Sequence, residues 1–280
     1  MPVEALNDDQ LIVVANRLPL EPIYADEYQD SGPVSWRIAP GGLVSSLESI
    51  LRNRPSIWVG AGDEVPDMDL GEMQLEAVRL DPQDAHGYYE GFSNTAIWPL
   101  YHSSVVTPEF HRNHFSAYQR VNQAFADHVI SIAAIGATVW VHDYQLQLLP
   151  RLLRERRPDL VIGFFLHIPF PPSELFAQLP WRHSILQGLL GADLIGFQTH
   201  GDATNFRNST QRFLGPQIEA GKVILTNRHA EIGVFPVGID AAGFAELAAD
   251  PAVRARAVAL RTELGDPKTL LLGVDRLDYT

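Results

Sequence analysis

Hydrophobic and polar positions along this chain fall into two habits. Short, continuously apolar runs end at polar residues or prolines, and the longer stretches between them repeat apolar positions every three or four residues. The first run, LIVVANRLP from Leu11 to Pro19, reads as a buried strand halted by Asn16, Arg17 and Pro19. Further strands are predicted at Ile57–Gly60, Leu75–Leu80, Thr138–His142, Leu160–Ile168, Leu194–Gln198, Val223–Thr226, Ile232–Val237 and Leu270–Val274. Leu43, Val44, Leu47, Ile50 and Leu51 have helical spacing. The longest helix is predicted from Pro108, at its first turn, to about Ile135, on the spacing of Phe115, Tyr118, Val121, Phe125 and Val129. Another runs from Ala241 to Leu264, whereas residues 21–39 carry turn formers and acids without a period, as in a long loop or a short hairpin.

Strands that are apolar throughout and alternate with helices imply the α/β class, a parallel sheet covered on both faces. The last apolar run, KTLLLGVDRL, is followed only by Asp278, Tyr279 and Thr280, and a central parallel strand needs neighbours. The expected organisation is therefore an arm over residues 1–10, an N-terminal Rossmann-like domain over 11–240, and a connecting helix and first strand of a truncated second domain over 241–280.

Composition narrows the function. With 280 residues, 46% hydrophobic and 20% charged, the chain belongs among globular proteins. No apolar run reaches the roughly 18 to 20 residues that span a bilayer, and the first residues are acidic, so a soluble, cytoplasmic protein is expected. The absence of cysteine excludes disulfides, thiolate metal sites and cysteine nucleophiles. A formal net charge of -13 sets the overall field against nucleic acid and anionic membrane, so neither is expected as a partner. The same field opposes a phosphorylated ligand unless arginines and helix N-termini override it locally.

Ligands of doubly wound sheets sit beyond the carboxyl ends of the strands. Four polar residues occupy such ends: Arg17, Asp143, His167 and Arg276. Each also has an ordinary reading. Arg17 suits a surface ion pair or a bidentate grip on phosphate. Asp143 suits a cap on a helix beginning at Tyr144, or an acceptor for sugar hydroxyls. His167, ahead of the stiff PFPP, suits a core histidine or a rigidly held ligand contact. Pro40-Gly41-Gly42 precedes a predicted helix, where it is either a plain turn or a place for close backbone approach to phosphate. Tyr88, Tyr89, Phe92, Trp98 and Tyr101 crowd into GYYEGFSNTAIWPLYH, as core or as sugar-facing rings. No metal-ligand cluster, GxSxG elbow or HExxH motif occurs.

Taken together, VVANRLP, PGGL, YYEGFSNTAIWPLYH, VNQAFA, VWVHDYQLQLLP, GFFLHIPFPPSELF, LLGADLIGFQT, FPVGID and VDRLDYT resemble the trehalose-6-phosphate synthases of glycosyltransferase family 20, from Leu11 to the C-terminus. The resemblance implies the two-domain GT-B fold and a retaining transfer of glucose from a nucleoside diphosphate glucose, commonly UDP-glucose, to C1 of glucose 6-phosphate. It implies no metal or other cofactor, and a homo-oligomer is possible. Carried over by motif, Arg17, Tyr89, Trp98 and Asp143 would bind the acceptor. Gly41, Gly42, His167 and Arg276 would bind the donor, with His167 and Arg276 closest to the chemistry. Family members continue past DYT into a nucleotide-binding domain, so these 280 residues alone are expected not to turn over. Rival expectations are a related synthase with another acceptor, such as glucosylglycerol-phosphate synthase or a cyclitol pseudo-glycosyltransferase, and a non-catalytic sugar-phosphate-binding domain.

Overall fold

The computed structural model describes residues 10–23, 35–39, 42–51, 54–65, 68–104 and 106–274. All but Gln10 of the expected arm lies outside them. In chain order the strands are β1 (Leu11–Arg17), β2 (Leu20–Ile23), β3 (Ser35–Ile38), β4 (Ser56–Ala61), β5 (Met73–Val78), β6 (Thr138–His142), β7 (Val161–Leu166), β8 (Leu194–Phe197), β9 (Ile218–Glu219), β10 (Lys222–Ile224) and β11 (His229–Val234). The sheet runs β5-β4-β1-β6-β7-β8-β11, all parallel, and β10 and β9 extend one edge antiparallel.

The run LIVVA is apolar at every position because β1 is central and covered on both faces. Its side chains alternate between two cores. Ile12 and Val14 pack with Phe125, Val129, Val139 and Val141, and Leu11, Val13 and Ala15 pack with Leu47, Leu51 and Trp58. The chain leaves β1 toward β4 and β5 and then returns to place β6 on the other flank of β1. That reversal opens a crevice beyond the carboxyl ends of β1 and β6, where doubly wound sheets bind ligands. β2 and β3 form a separate hairpin with Leu20 opposite Ile38, the hairpin alternative for residues 21–39.

The strand expected at Ile232–Val237 is β11, His229–Val234, and three other expected elements differ more. The long helix begins at Arg112, not Pro108. His111 is extended, and the Glu109 N–H donates to Thr95 O at 2.9 Å, which straps residues 108–111 onto the aromatic segment. The expected helix from Ala241 to Leu264 is two, Ala241–Ala249 and Pro251–Glu263. Pro251 has no N–H to continue the first, and the Asp250 carboxylate caps the second through the N–H groups of Ala252 and Val253. Leu270–Val274 is not a strand: no described strand lies beside it, and Leu271 and Leu272 are 91% and 85% exposed. By internal contacts the chain forms two compact units, residues 1–236 and 237–280.

Candidate active site

The first wall of the crevice is built where β1 ends. The register between β1 and β4 slips between Val14 and Arg17, a bulge of the kind that re-aims a side chain at a strand end. Gly60 makes this approach possible: a Cβ there would lie 2.4 Å from the Arg17 carbonyl carbon and 2.4 Å from the Leu18 nitrogen. The Trp58 indole N–H donates to Arg17 O at 3.0 Å and holds the same turn. The exposed Arg17 guanidinium stands 4.8 Å over the Tyr89 ring, a cation–π contact, and has no ion-pair partner among the described residues. The surface ion-pair reading is therefore not what the geometry shows. Arg17 and Tyr89 border an open cleft of about 640 Å³ that Trp36, Asp63 and Glu64 also line.

The second wall stands at the ends of β6 and β7. Asp143 adopts φ 73° and ψ 173°, a region that residues other than glycine rarely enter and that costs roughly 1–3 kcal/mol. It makes no side-chain cap to the turn Tyr144–Leu146, contrary to the capping reading. Its carboxylate instead accepts the His167 backbone N–H at 3.1 Å, and its own N–H donates to Phe165 O at 2.8 Å. Burial pushes the Asp143 carboxyl up to about 7, against the opposing pull of the Tyr144 and His167 N–H groups. The half-buried His167 ring meets His142, with Nε2 of His167 3.0 Å from Nδ1 of His142. Burial lowers His167 to about 4 and, with His167 beside it, drives His142 well below the usual imidazole range. The loop after His167 is held by Asp202, which accepts the Phe170 N–H at 3.0 Å, and by Asn205, which donates to Phe170 O at 2.9 Å.

The aromatic segment joins the two walls. Residues Gly87–Ile97 form a π-helical stretch, a rare geometry that is frequent at functional sites. It divides the rings between the two readings. Tyr88, Phe92 and Tyr101 are buried, and the Tyr88 hydroxyl donates to Asn16 Oδ1 at 2.9 Å. Tyr89 and Trp98 stay partly exposed. The Trp98 ring centroid lies 5.5 Å from that of Tyr144, whose hydroxyl donates to Asn94 Oδ1 at 3.1 Å. Trp98 Nε1 is buried with no hydrogen-bond partner, a donor left unused by the fold.

Three contacts thus stand beyond the carboxyl ends of these strands, Arg17 with Tyr89, Trp98 with Tyr144, and Asp143 with His167; the cleft bordered by Arg17 and Tyr89 is lined by none of the other four. Gly42 opens the helix Gly42–Leu51, and a Cβ on it would meet nothing within 4 Å, so no close approach shows there. Gly41 and Arg276 lie outside the described residues. Sequence reasoning missed His142, Asn94, Tyr144 and Gly60. Only His142 carried a signal, as the last residue of a strand directly before Asp143. Among the described residues no group of three or more His, Cys, Asp or Glu could hold a metal, and no helix is long and apolar enough to cross a membrane.

These groups set a pH dependence. Asp143 keeps its proton in the folded chain up to about 7, so its contribution favours the fold at low pH and is lost as pH rises from the usual carboxylate range to 7. His142 and His167 refuse protons that the unfolded chain takes up below about 6.5, so theirs is present above that pH and lost on acidification. Between pH 4 and 6.5 two histidines outweigh one carboxyl. Asp143→Asn removes the opposing contribution and should steepen the loss of stability in that window by ~1.4 kcal/mol per pH unit. Denaturant midpoints for parent and variant from pH 4 to 8 check this; superimposable curves would refute it.

Comparison with known proteins gives the family. The family model described as Glycosyltransferase family 20 matches residues 9–280. A trehalose-6-phosphate synthase of Mycobacterium ulcerans is 48% identical over 294 residues, covering 99% of this chain and 58% of its own length. The crystal structure of an alpha,alpha-trehalose-phosphate synthase (UDP-forming) from Burkholderia vietnamiensis superposes with a TM-score of 0.76 at 28% identity, over 92% of this chain and 55% of that one. An E. coli structure described as trehalose-6-phosphate bound with UDP-2-fluoro glucose gives 0.74 at 29% identity, again over 92% and 55%. The chain spans somewhat over half the length of the relatives it matches. With a doubly wound parallel sheet of the GT-B kind and a family match over nearly its whole length, the chain belongs to glycosyltransferase family 20.

Proposed function

We propose that these residues form the acceptor half of a trehalose-6-phosphate synthase, which transfers glucose from a nucleoside diphosphate glucose, UDP-glucose by analogy with the UDP-forming relative, to glucose 6-phosphate with retention. The observation that carries this reading is the exposed Arg17 guanidinium over Tyr89 beside an open cleft at the end of β1, with the bonded pair Asp143 and His167 at the ends of β6 and β7 in the same sheet. Arg17 would grip the acceptor phosphate, locally overriding the negative field of the chain. Trp98 Nε1 supplies a further donor, and the Asp143 carboxylate accepts sugar hydroxyls. A hydroxyl donating to Asp143 would also compensate its desolvation.

In the reaction, the bond from the donor anomeric carbon to the diphosphate breaks as the acceptor C1 hydroxyl attacks from the same face. The hydroxyl proton passes to the departing phosphate oxygen, so no protein base is needed. Negative charge grows on that phosphate, and a fixed cation there, the role proposed for Arg276, lowers the barrier. His167 would stand beside the donor glucose, and Gly41 and Gly42 would admit the donor to the backbone.

Thermal unfolding with a panel of sugar phosphates tests the acceptor. Glucose 6-phosphate at ten times its Kd should stabilise the chain by ~1.4 kcal/mol, and glucose or glucose 1-phosphate should not. Stronger protection by glycerol 3-phosphate or a cyclitol phosphate would favour the related synthases instead.

A further inference from the structure

The contact between His142 and His167 is not absorbed by the reaction. Their facing nitrogens, Nδ1 and Nε2, are 3.0 Å apart, so one carries a proton and the other a lone pair. Two facing N–H groups would repel, and His142 is 1% exposed, which disfavours its charged form. Two neutral arrangements are left. In one, His167 donates from Nε2, His142 accepts at Nδ1, and the second proton of the pair sits on His142 Nε2. That atom is buried with no partner, so the arrangement strands an N–H donor in the core. In the other, His142 donates from Nδ1, only a lone pair faces the core at its Nε2, and His167 carries its proton on Nδ1. Orphaned buried donors are rarer than under-used acceptors, which selects the second arrangement.

We propose that His142 is a positioning residue that holds His167 as the Nδ1–H tautomer, so that His167 presents a hydrogen-bond donor, directed away from the pair, to whatever occupies the crevice. That His167 meets a sugar rests on the function proposed above; the tautomer does not. The backbone supports the arrangement on both sides. His142 ends β6 with its ring centroid 4.5 Å from that of Trp140, and the His167 backbone is tied to Asp143. A donor here would discriminate, because a sugar hydroxyl or ring oxygen can accept from Nδ1–H, whereas a group offering only protons cannot. His142 thus orients His167, as a hydrogen bond at the other ring nitrogen orients a metal-bound histidine.

The test needs no ligand, which separates its failure from failure of the proposed function. In ¹⁵N-histidine-labelled chain above pH 7, two-bond proton–nitrogen correlations distinguish protonated from lone-pair nitrogens, and His167→Gln assigns the signals of residue 167. His167 is expected to show Nδ1–H with a lone pair on Nε2. His142→Asn, whose amide N–H can take the place of Nδ1–H, should keep that pattern. His142→Phe should lose it and move the proton to Nε2, the form an isolated histidine favours in water. A parent spectrum with the proton on Nε2 of His167 would overturn the proposal outright, as would an unchanged Nδ1–H form in His142→Phe. Should the phenylalanine variant not fold, the parent and asparagine spectra still decide it, because a switch of tautomer in His142→Asn contradicts the proposal.

Discussion

Replacing Asn122 with alanine is expected to cost the fold ~3 kcal/mol and to loosen the turn that carries Asp143. Asn122 lies fully buried on the helix Arg112–Ile132. Its Nδ2 donates to Tyr118 O at 2.9 Å and Gln145 O at 3.1 Å, and its Oδ1 accepts the Leu148 N–H at 3.2 Å. Alanine leaves the Gln145 carbonyl and the Leu148 N–H buried without these partners, each at about 1–3 kcal/mol. The neighbouring bonds depend on the same turn. The Tyr118 hydroxyl donates to Tyr144 O at 2.7 Å and accepts the Gln147 N–H at 3.0 Å, and the Tyr101 hydroxyl donates to Gln147 Oε1 at 2.7 Å. Denaturant unfolding measures the loss, and a change under ~1 kcal/mol would show that the network does not hold the turn.

The second large effect is expected at Gly60. A methyl group there meets backbone atoms of Arg17 and Leu18, which cannot rotate aside, so β1 and β4 must separate where the proposed phosphate grip sits. Gly60→Ala should cost ~2–3 kcal/mol and remove binding of a sugar phosphate together with it. Gly42→Ala, whose methyl group meets nothing within 4 Å, is the matched control and should leave stability within ~0.5 kcal/mol. A Gly60→Ala chain as stable as the control would mean that the strands part freely and that Gly60 does not place Arg17.

The frame of the fold was legible because its strands are continuous apolar runs. β1, β6 and β7 lie within two residues at each end of the apolar runs that predict them, and the polar residues that stop them, Arg17, Asp143 and His167, stand at or just beyond their carboxyl ends. The helix start was not legible. Pro108 looked like a first-turn proline, and only the long-range bond from Glu109 to Thr95 shows why the chain stays extended to His111. The segment Gly87–Ile97 gave no clean period because a π-helical stretch does not repeat every 3.6 residues. Gly60 looked like any strand residue, since its importance lies in the distance between two strands. The meeting of His142 and His167, 25 residues apart, follows from the pairing of β6 with β7, which no local pattern fixes. Leu270–Val274 shows the converse: the run is as apolar as β1, but no described strand lies beside it to pair with.

In the proposed function Arg17 anchors a sugar phosphate at the carboxyl end of β1, over Tyr89. Calorimetric titration of the chain with glucose 6-phosphate, beside an Arg17→Ala variant of unchanged stability, tests it most directly. Saturable binding to the parent is expected, falling at least ~10-fold in the variant with the loss of one charge-assisted phosphate contact. Equal binding by both proteins, or none by the folded parent, would contradict it.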